Sequence, residues 1–424
     1  MLRPEGYQDR LIDKKIQEYL KVFGAIAIEG PKWCGKTWTA KNNGNSIVCL
    51  NNTENNFRDL ELAQMDVNLV LGGEHPAIID EWQEVPAIWD AVRYKCDQDK
   101  EKGKYILTGS ATPVDNKIKH SGAGRIVRMN MYPMSLYESK ESSGDVSIKD
   151  LFENNVKNKV VSEISLKHLA EIIVRGGWPE LINVGENEAL KVNKSYIDDI
   201  LKKDISSIDG KQRDQEKMKM LLRSLARNES TISPNATLVR DIETSTNEEE
   251  LTVTRNTIAE YLDVLDRLHL IDNQRSFKYK IRSKANVGKV DKRHFVDPSL
   301  GCAILNISSK KLMQDLETFG LYFEALVERD LRIYMDYLDG ALYHYRDSNN
   351  LEVDAIVEIA DGEYGAIEIK LGSNKIDEAV ENLSKFYENA EIKPKFMAVI
   401  CGLYNAVVRR QDGIYILPIT ALKP

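Results

Sequence analysis

Three observations predict an α/β fold built on a parallel sheet covered by helices. Apolar runs of strand length, at Ala25–Ile28, Pro76–Ile79 and Tyr105–Leu107, alternate with helical stretches between about Ile12 and Ser135. The first run leads into Gly30-Pro31-Lys32-Trp33-Cys34-Gly35-Lys36-Thr37, a full match to the phosphate-binding pattern G-x-x-x-x-G-K-[ST]. The second run ends in a pair of carboxylates, Asp80-Glu81.

Each element has a chemical reason. A buried strand, a glycine-bounded loop and a helix start at Lys36-Thr37-Trp38-Thr39-Ala40-Lys41 together build an anion site. Loop N–H groups and the positive helix end face phosphates, Lys36 reaches the β/γ oxygens, and the Thr37 hydroxyl holds Mg²⁺. The candidate cofactor-binding residues are therefore Gly30, Pro31, Lys32, Trp33, Cys34, Gly35, Lys36, Thr37 and Trp38, with ATP and Mg²⁺ as the expected ligands. An aspartate at a neighbouring strand end is the usual partner of the loop hydroxyl at the metal, a place that Asp80 fits. Glu81 is the candidate general base that positions the attacking water. Taken alone, the two acids read better as a solvated pair after a core strand; the loop upstream favours the chemical reading. The third run continues into Thr108-Gly109-Ser110, where a hydroxyl is placed to sense the γ-phosphate, Ser110 before Thr108; an ordinary Gly-Ser turn is the competing reading.

Composition narrows the class. The chain has 424 residues, 42% hydrophobic and 29% charged, which suits two or three soluble globular domains. A net charge of −8 leaves no global basic field, so any nucleic-acid surface has to be local. No apolar stretch approaches the roughly 18 residues of a membrane span, and Met1–Gly6 lacks the apolar core of a signal peptide. Five scattered cysteines with no C-x-x-C pair suggest neither disulfides nor a zinc site, and a cytoplasmic location is expected.

Four parts are expected along the chain: a nucleotide-binding core over 1–137, a helical linker or lid over 138–211, a winged helix-turn-helix over 212–302 and a small α/β domain over 303–424. Glu138–Asp145 is polar and small, and reads as a linker or exposed loop. Helical patterning fills Leu166–Arg227. Helices at Glu216–Arg227, near Leu238–Glu243 and over Thr252–Leu268 then precede a basic, strand-like run at Arg275–Arg282, the order of a winged helix. Residues 275–293 carry eight Lys/Arg against the single acid Asp291, with Phe277 and Tyr279 interleaved; such a segment can lie against DNA phosphates. A structural lid or oligomer contact with a solvated basic edge is the alternative. After a helix from Leu321 to about Tyr337 come strands, a helix at Ile376–Glu388 and a closing strand, Phe396–Cys401.

This last part holds a second constellation. Asp354 precedes a strand bearing Glu368-Ile369-Lys370, the Asp…E-x-K order of restriction-endonuclease-like nucleases. In such sites two carboxylates hold Mg²⁺ and a lysine stabilises the nucleophile or the developing charge. Strand alternation places Glu368 and Lys370 on one face. Glu324, read as the start of the preceding helix, is a further candidate acid.

Taken together, the chain resembles the prokaryotic AAA-superfamily ATPases that carry a C-terminal domain of unknown function, DUF4143. Gly30–Thr37 matches that family's Walker A, with Trp33-Cys34 in place of the more usual polar and small pair. Ile78-Ile79-Asp80-Glu81-Trp82-Gln83-Glu84-Val85-Pro86 is similar to its Walker B, and Leu107–Ser110 to its sensor-like strand. The resemblance makes Arg125, in His120-Ser121-Gly122-Ala123-Gly124-Arg125-Ile126, a candidate γ-phosphate contact. Tyr132–Glu138 is also typical of the family, and Gly176-Gly177-Trp178-Pro179-Glu180 is similar to its post-core turn, expected near the base. Glu352-Val353-Asp354 and Glu368–Lys370 match the C-terminal signature, itself similar to the nuclease fold. The expectation is an ATPase coupling nucleotide turnover to movement of DNA-associated domains. A nucleotide-gated interaction switch with an inert nuclease-like domain and an ATP-regulated nuclease are the alternatives.

Overall fold

A computed structural model describes residues 1–54, 56–98, 101–111, 118–205, 210–211, 213–245, 253–278 and 290–424. The chain divides into two compact units. The first comprises Met1–Pro133, Lys202–Arg213 and Asp263–Leu270, and the second the remainder.

The first unit is organised by five strands, β1 (Ala25–Glu29), β2 (Ser46–Cys49), β3 (Ala77–Asp80), β4 (Tyr105–Gly109) and β5 (Ile126–Asn130), in the order β2-β3-β4-β1-β5. Every pairing is parallel, with Ala25 opposite Tyr105 on one side and Ile126 on the other. Every residue of β1 and β4 is buried, which is why these strands read as continuous apolar runs rather than alternating ones. Trp82 and Trp89 pack at 5.0 Å in the core beneath the helix Ala87–Gln98. The N-terminal helix Leu11–Leu20 is fastened through Asp13, whose carboxylate accepts from Tyr7, Asn42 and Asn43.

The second unit contains an eight-stranded mixed sheet. In chain order its strands are β7 (Lys159–Val160), β8 (Arg275–Ser276), β9 (Ala341–Arg346), β10 (Glu352–Glu358), β11 (Tyr364–Gly372), β12 (Phe396–Leu403), β13 (Ala406–Arg409) and β14 (Tyr415–Pro418), arranged β7-β13-β14-β12-β11-β10-β9-β8. Residues β6 (Val146–Ser147) and β15 (Leu422–Lys423) form a separate parallel pair. The helix Leu316–Tyr337 is buried on most of its circumference, carrying Phe319, Phe323 and Leu326 together with the ionised side chains Glu328, Arg329 and Asp330. Burying those charges is sustainable only because each is paired. Arg329 contacts Asp297 at 2.9 Å and Asp330 at 2.8 Å, and Asp330 also accepts the Leu136 N–H. His294 lies between Glu229 and Glu328.

Several expectations are corrected. Glu138–Asp145 is a loop with exposed residues, as expected, but not a free linker: Ser142 and Ser143 donate to the backbone carbonyls of Leu422 and Thr420, stitching the segment to the C-terminus. Glu324 does not begin its helix, because Asp315 caps it two turns earlier by accepting from the Thr318 N–H. Phe396–Cys401 is not a closing strand, since β13 and β14 follow and place β12 inside the sheet. The basic run at Arg275 does not begin a separate wing, because β8 pairs with β9 and Phe277 enters the second unit's core against Tyr343 and Tyr364. Lys292 and Arg293 are buried too, so neither reaches a phosphate from the surface; residues 279–289, including Tyr279, lie outside the described part. The Gly176-Gly177 turn is a packing joint of the second unit. Gly176 has φ +79°, the Gly177 N–H donates to Asp297, and Trp178 donates to Ser299.

Two predictions follow from these buried charges. Arg329→Met strands Asp297 and Asp330 and is expected to cost about 3–5 kcal/mol, read as a lower midpoint of the second unit's transition in urea. Burial lowers the pKa of His294, but the charge and hydrogen bonds of Glu328 and Glu229 prevail and raise it from 6.5 to about 9. Its contribution is therefore full below pH 6.5 and lost as pH rises through about 9. Thermal stability should fall across that window by roughly 3 kcal/mol, and His294→Gln should flatten the profile.

Candidate functional site

The phosphate loop occupies the carboxyl edge of the parallel sheet, where open α/β sheets place their ligands. β1 ends at Glu29 and the helix Lys36–Asn43 begins directly after Gly35. Gly35 has φ +102°, a left-handed conformation that turns the chain into the helix. Gly30 has no room for a side chain: a Cβ there would lie 2.1 Å from the Met131 carbonyl oxygen. Lys36 spans the loop, its ammonium donating to the carbonyls of Gly30 at 2.9 Å and Pro31 at 2.7 Å. Trp33 adopts φ +71°, while Cys34 is buried with its Sγ 3.6 Å from the Met131 carbonyl. Of the unusual Trp33-Cys34 pair, Cys34 thus serves the underside of the loop. Lys32 is ion-paired with Asp204 at 2.6 Å, and Trp38 is exposed on the helix.

Parallel pairing brings the other two strand ends beside this loop. The Thr37 hydroxyl donates to Asp80 Oδ1 at 2.9 Å, and the Thr108 hydroxyl bonds the same oxygen. Burial raises the Asp80 pKa, opposed by these two hydrogen bonds and the charge of Lys36. Next to it, Glu81 holds φ +58°. A non-glycine residue in that conformation persists only where its surroundings impose it. Here Trp82 is fully buried on one side and Gln83 donates to the Glu81 carboxylate on the other. Ser110 donates to Glu81 Oε2 at 3.1 Å. The structure therefore gathers Lys36, Thr37, Asp80, Glu81, Thr108 and Ser110 at one edge.

It does not bring Arg125 there. Ala25 at the start of β1 faces Ile126, and the Ala25 N–H donates to the Arg125 carbonyl, so Arg125 lies at the amino edge. The five residues of β1 separate it from the phosphate loop, a length of about 16 Å. Its guanidinium pairs instead with Asp97 at 2.6 Å.

Three residues near the loop escaped sequence reasoning. Arg10 is buried and donates to the carbonyls of Cys34 and Tyr132, clamping the loop to the chain after β5. Arg128, the out-of-pattern cation of β5, pairs with Glu29 just before the loop and lies 4.2 Å from the Trp89 ring centre. His269, at φ +54°, belongs to the same unit; burial first, then the charges of Lys36 and Arg128, hold its pKa down at about 4. Arg128 was visible as a charge inside an apolar strand; Arg10 and His269 gave no local signal.

The second constellation also assembles. Antiparallel pairing of β10 and β11, with Ala355 opposite Ile367, brings Asp354 beside Glu368 and Lys370. Lys370 contacts Glu368 at 2.6 Å and Asp354 at 3.1 Å. Asp354 Oδ2 further accepts the Ile369 N–H, and Glu368 Oε1 accepts from Asn382. Burial, reinforced by the Asp354 charge, raises the Glu368 pKa to about 8. Three of the four carboxylate oxygens thus already accept from protein donors. Among the described residues, no group of three or more His, Cys, Asp or Glu side chains is arranged to hold a metal. Asp354 and Glu368, as they stand, do not fit the second Mg²⁺ expected of them.

Known proteins share these parts. A family described as an AAA domain matches residues 23–140, and a domain of unknown function, DUF4143, matches residues 319–422. A further domain of unknown function, DUF8612, matches residues 166–311. Uncharacterized proteins of Mycobacterium bovis and Mycobacterium tuberculosis are each 24% identical over 353 residues, covering 81% of this chain and 70% of their own. Among solved structures, a Walker-type ATPase of Pyrococcus abyssi superposes with a TM-score of 0.46 at 13% identity, covering 72% of this chain and 97% of that one. The Orc1 protein of Aeropyrum pernix, solved in complex with DNA, gives 0.26 at 12% identity, covering 74% and 94%. Superposition at that level leaves the fold to be read from the strand order and loop geometry above. The two terminal domains are matched where the motifs fall: the chain carries a match to an AAA domain at residues 23–140 and to DUF4143 at residues 319–422, which fits an AAA-superfamily ATPase of that organisation.

Proposed function

We propose that this chain is a cytoplasmic, Mg²⁺-dependent ATPase whose nucleotide cycle moves its helical lid and middle segments, within the four-part division 1–137, 138–211, 212–302 and 303–424. The observation that carries this reading is the contact of Thr37 and Thr108 with Asp80 beside the Ser110–Glu81 pair. A hydroxyl and a carboxylate in contact at adjoining strand ends fit a hard cation that keeps waters and a substrate phosphate. Thr37 and Asp80 would hold the Mg²⁺, which when bound neutralises charge on the β/γ-phosphates. Lys36 exchanges its loop carbonyls for phosphate oxygens. Glu81, aimed by its backbone and by Gln83, orients the attacking water and takes its proton. Ser110, through Glu81, reports on the γ-phosphate side.

Coupling is supported by the two short segments that join the nucleotide unit from elsewhere in the chain. Lys202–Arg213 supplies Asp204 to Lys32 of the loop, and Asp263–Leu270 supplies His269 near Lys36. DNA is the proposed partner of the basic segment, now narrowed to the six Lys/Arg of residues 275–293 other than Lys292 and Arg293. The scattered free thiols support the cytoplasm as the compartment. The engaged oxygens of Asp354 and Glu368 favour one variation: an ATP-gated switch with an inert nuclease-like domain, over an ATP-regulated nuclease.

Lys36→Ala is expected to abolish tight ATP binding in an equilibrium titration. Glu81→Gln should keep ATP affinity while slowing steady-state turnover by about 10²–10⁴-fold, and unchanged turnover would assign the base elsewhere. Arg125→Ala should leave both affinity and turnover at the parent level, as its place at the far sheet edge requires. Titrating turnover with single- and double-stranded DNA at two salt concentrations tests the partner. Salt-sensitive stimulation supports DNA contact, whereas no response at either salt supports the switch.

A further inference from the structure

Glu324, the further candidate acid of the second unit, is served by a cation that the motif does not contain. Lys292, 2% exposed, ion-pairs with Glu324 and lies 3.3 Å from Glu328, both on the buried helix Leu316–Tyr337. It is held there by its backbone. Gln274 and Lys292 exchange N–H···O bonds of 2.9 and 3.0 Å, and the Gln274 amide donates to the carbonyls of Tyr343 and Asp354. That bridge fixes Lys292 beside the strand that carries Asp354. Lys370 meanwhile joins Asp354 to Glu368. Glu324, Glu328, Asp354 and Glu368 are thereby shared between two ammonium groups, with His294 on the far side of Glu328.

A nuclease metal needs a different setting. Mg²⁺ demands a near-octahedral oxygen shell and retains several waters. The side chains here are 14% exposed at Glu324 and Asp354, 4% at Glu368 and 1% at Glu328. A divalent ion entering would have to shed its water and sit against a fixed positive charge. Removing that charge would leave the buried Glu324 uncompensated and Glu328 with His294 alone, a strong demand for a cation.

We propose that Lys292 is a built-in cation standing in for the divalent metal among Glu324, Glu328, Asp354 and Glu368, so that the nuclease-like centre takes no metal and cleaves no DNA. This inference is independent of the ATPase reading, because it concerns a different set of carboxylates.

The test is a Mn²⁺ titration of the full chain without nucleotide, with free Mn²⁺ followed by electron paramagnetic resonance. The parent protein and Asp354→Asn should give the same isotherm, since any Mn²⁺ held weakly near Asp80 is common to both. Lys292→Met should gain a Mn²⁺ site that is lost in Lys292→Met/Asp354→Asn, and Mn²⁺ should raise its melting temperature but not that of the parent. An Asp354-dependent Mn²⁺ site in the parent protein would overturn the proposal, and this comparison decides even if Lys292→Met does not fold. A folded Lys292→Met with no added site would overturn it as well. Loss of nucleotide binding through Lys36→Ala bears on neither result.

Discussion

The proposed nucleotide site depends on one half-buried carboxylate that receives two hydroxyls. Asp80 accepts from Thr37, at the first turn of the loop helix, and from Thr108, on the next strand. A half-buried aspartate without such donors would be driven towards its neutral form. With them, the carboxylate is kept available where a phosphate-bound cation needs it, and three separate strand ends are locked into one geometry. Glu81, in its left-handed conformation, inherits its direction from that arrangement.

The two units answer the problem of internal charge differently. In the first, charges border a site: Glu29 meets Arg128 below the loop, and Arg10 spends its donors on backbone carbonyls. In the second, charges are consumed inside the core, through Arg329 with Asp297 and Asp330, His294 with Glu229 and Glu328, and Lys292 and Lys370 with the acids around Asp354. Such networks destabilise strongly when one member is lost, and they favour a single arrangement of the elements that carry them. That suits a scaffold, whereas the first unit keeps its charged groups at the mouth of a cradle.

What the sequence made legible follows from the range of the interactions involved. The phosphate loop spells its geometry within eight consecutive residues, and the parallel sheet announced itself through fully apolar strands. Placing Arg125 required knowing which edge of the sheet its loop occupies, a consequence of strand order that no local pattern carries. The alternation around Phe277 fits a basic wing and an edge strand equally well; only the partner strand β9 distinguishes them. Lys292 looked like one more surface cation because its partner Glu324 lies 32 residues away on a helix whose start was misplaced. Charge runs are read as surface by default, and here part of the run is core.

The central claim is that Thr37 and Asp80 act as one unit in holding the metal–nucleotide complex. A double-mutant cycle on Mg²⁺-dependent ATP affinity, with Thr37→Val, Asp80→Asn and the pair, measures that directly. The account predicts non-additivity, the double variant losing less than the sum of the single losses by at least about 1 kcal/mol. Losses that add to within about 0.5 kcal/mol, or single variants that bind as the parent does, would contradict it.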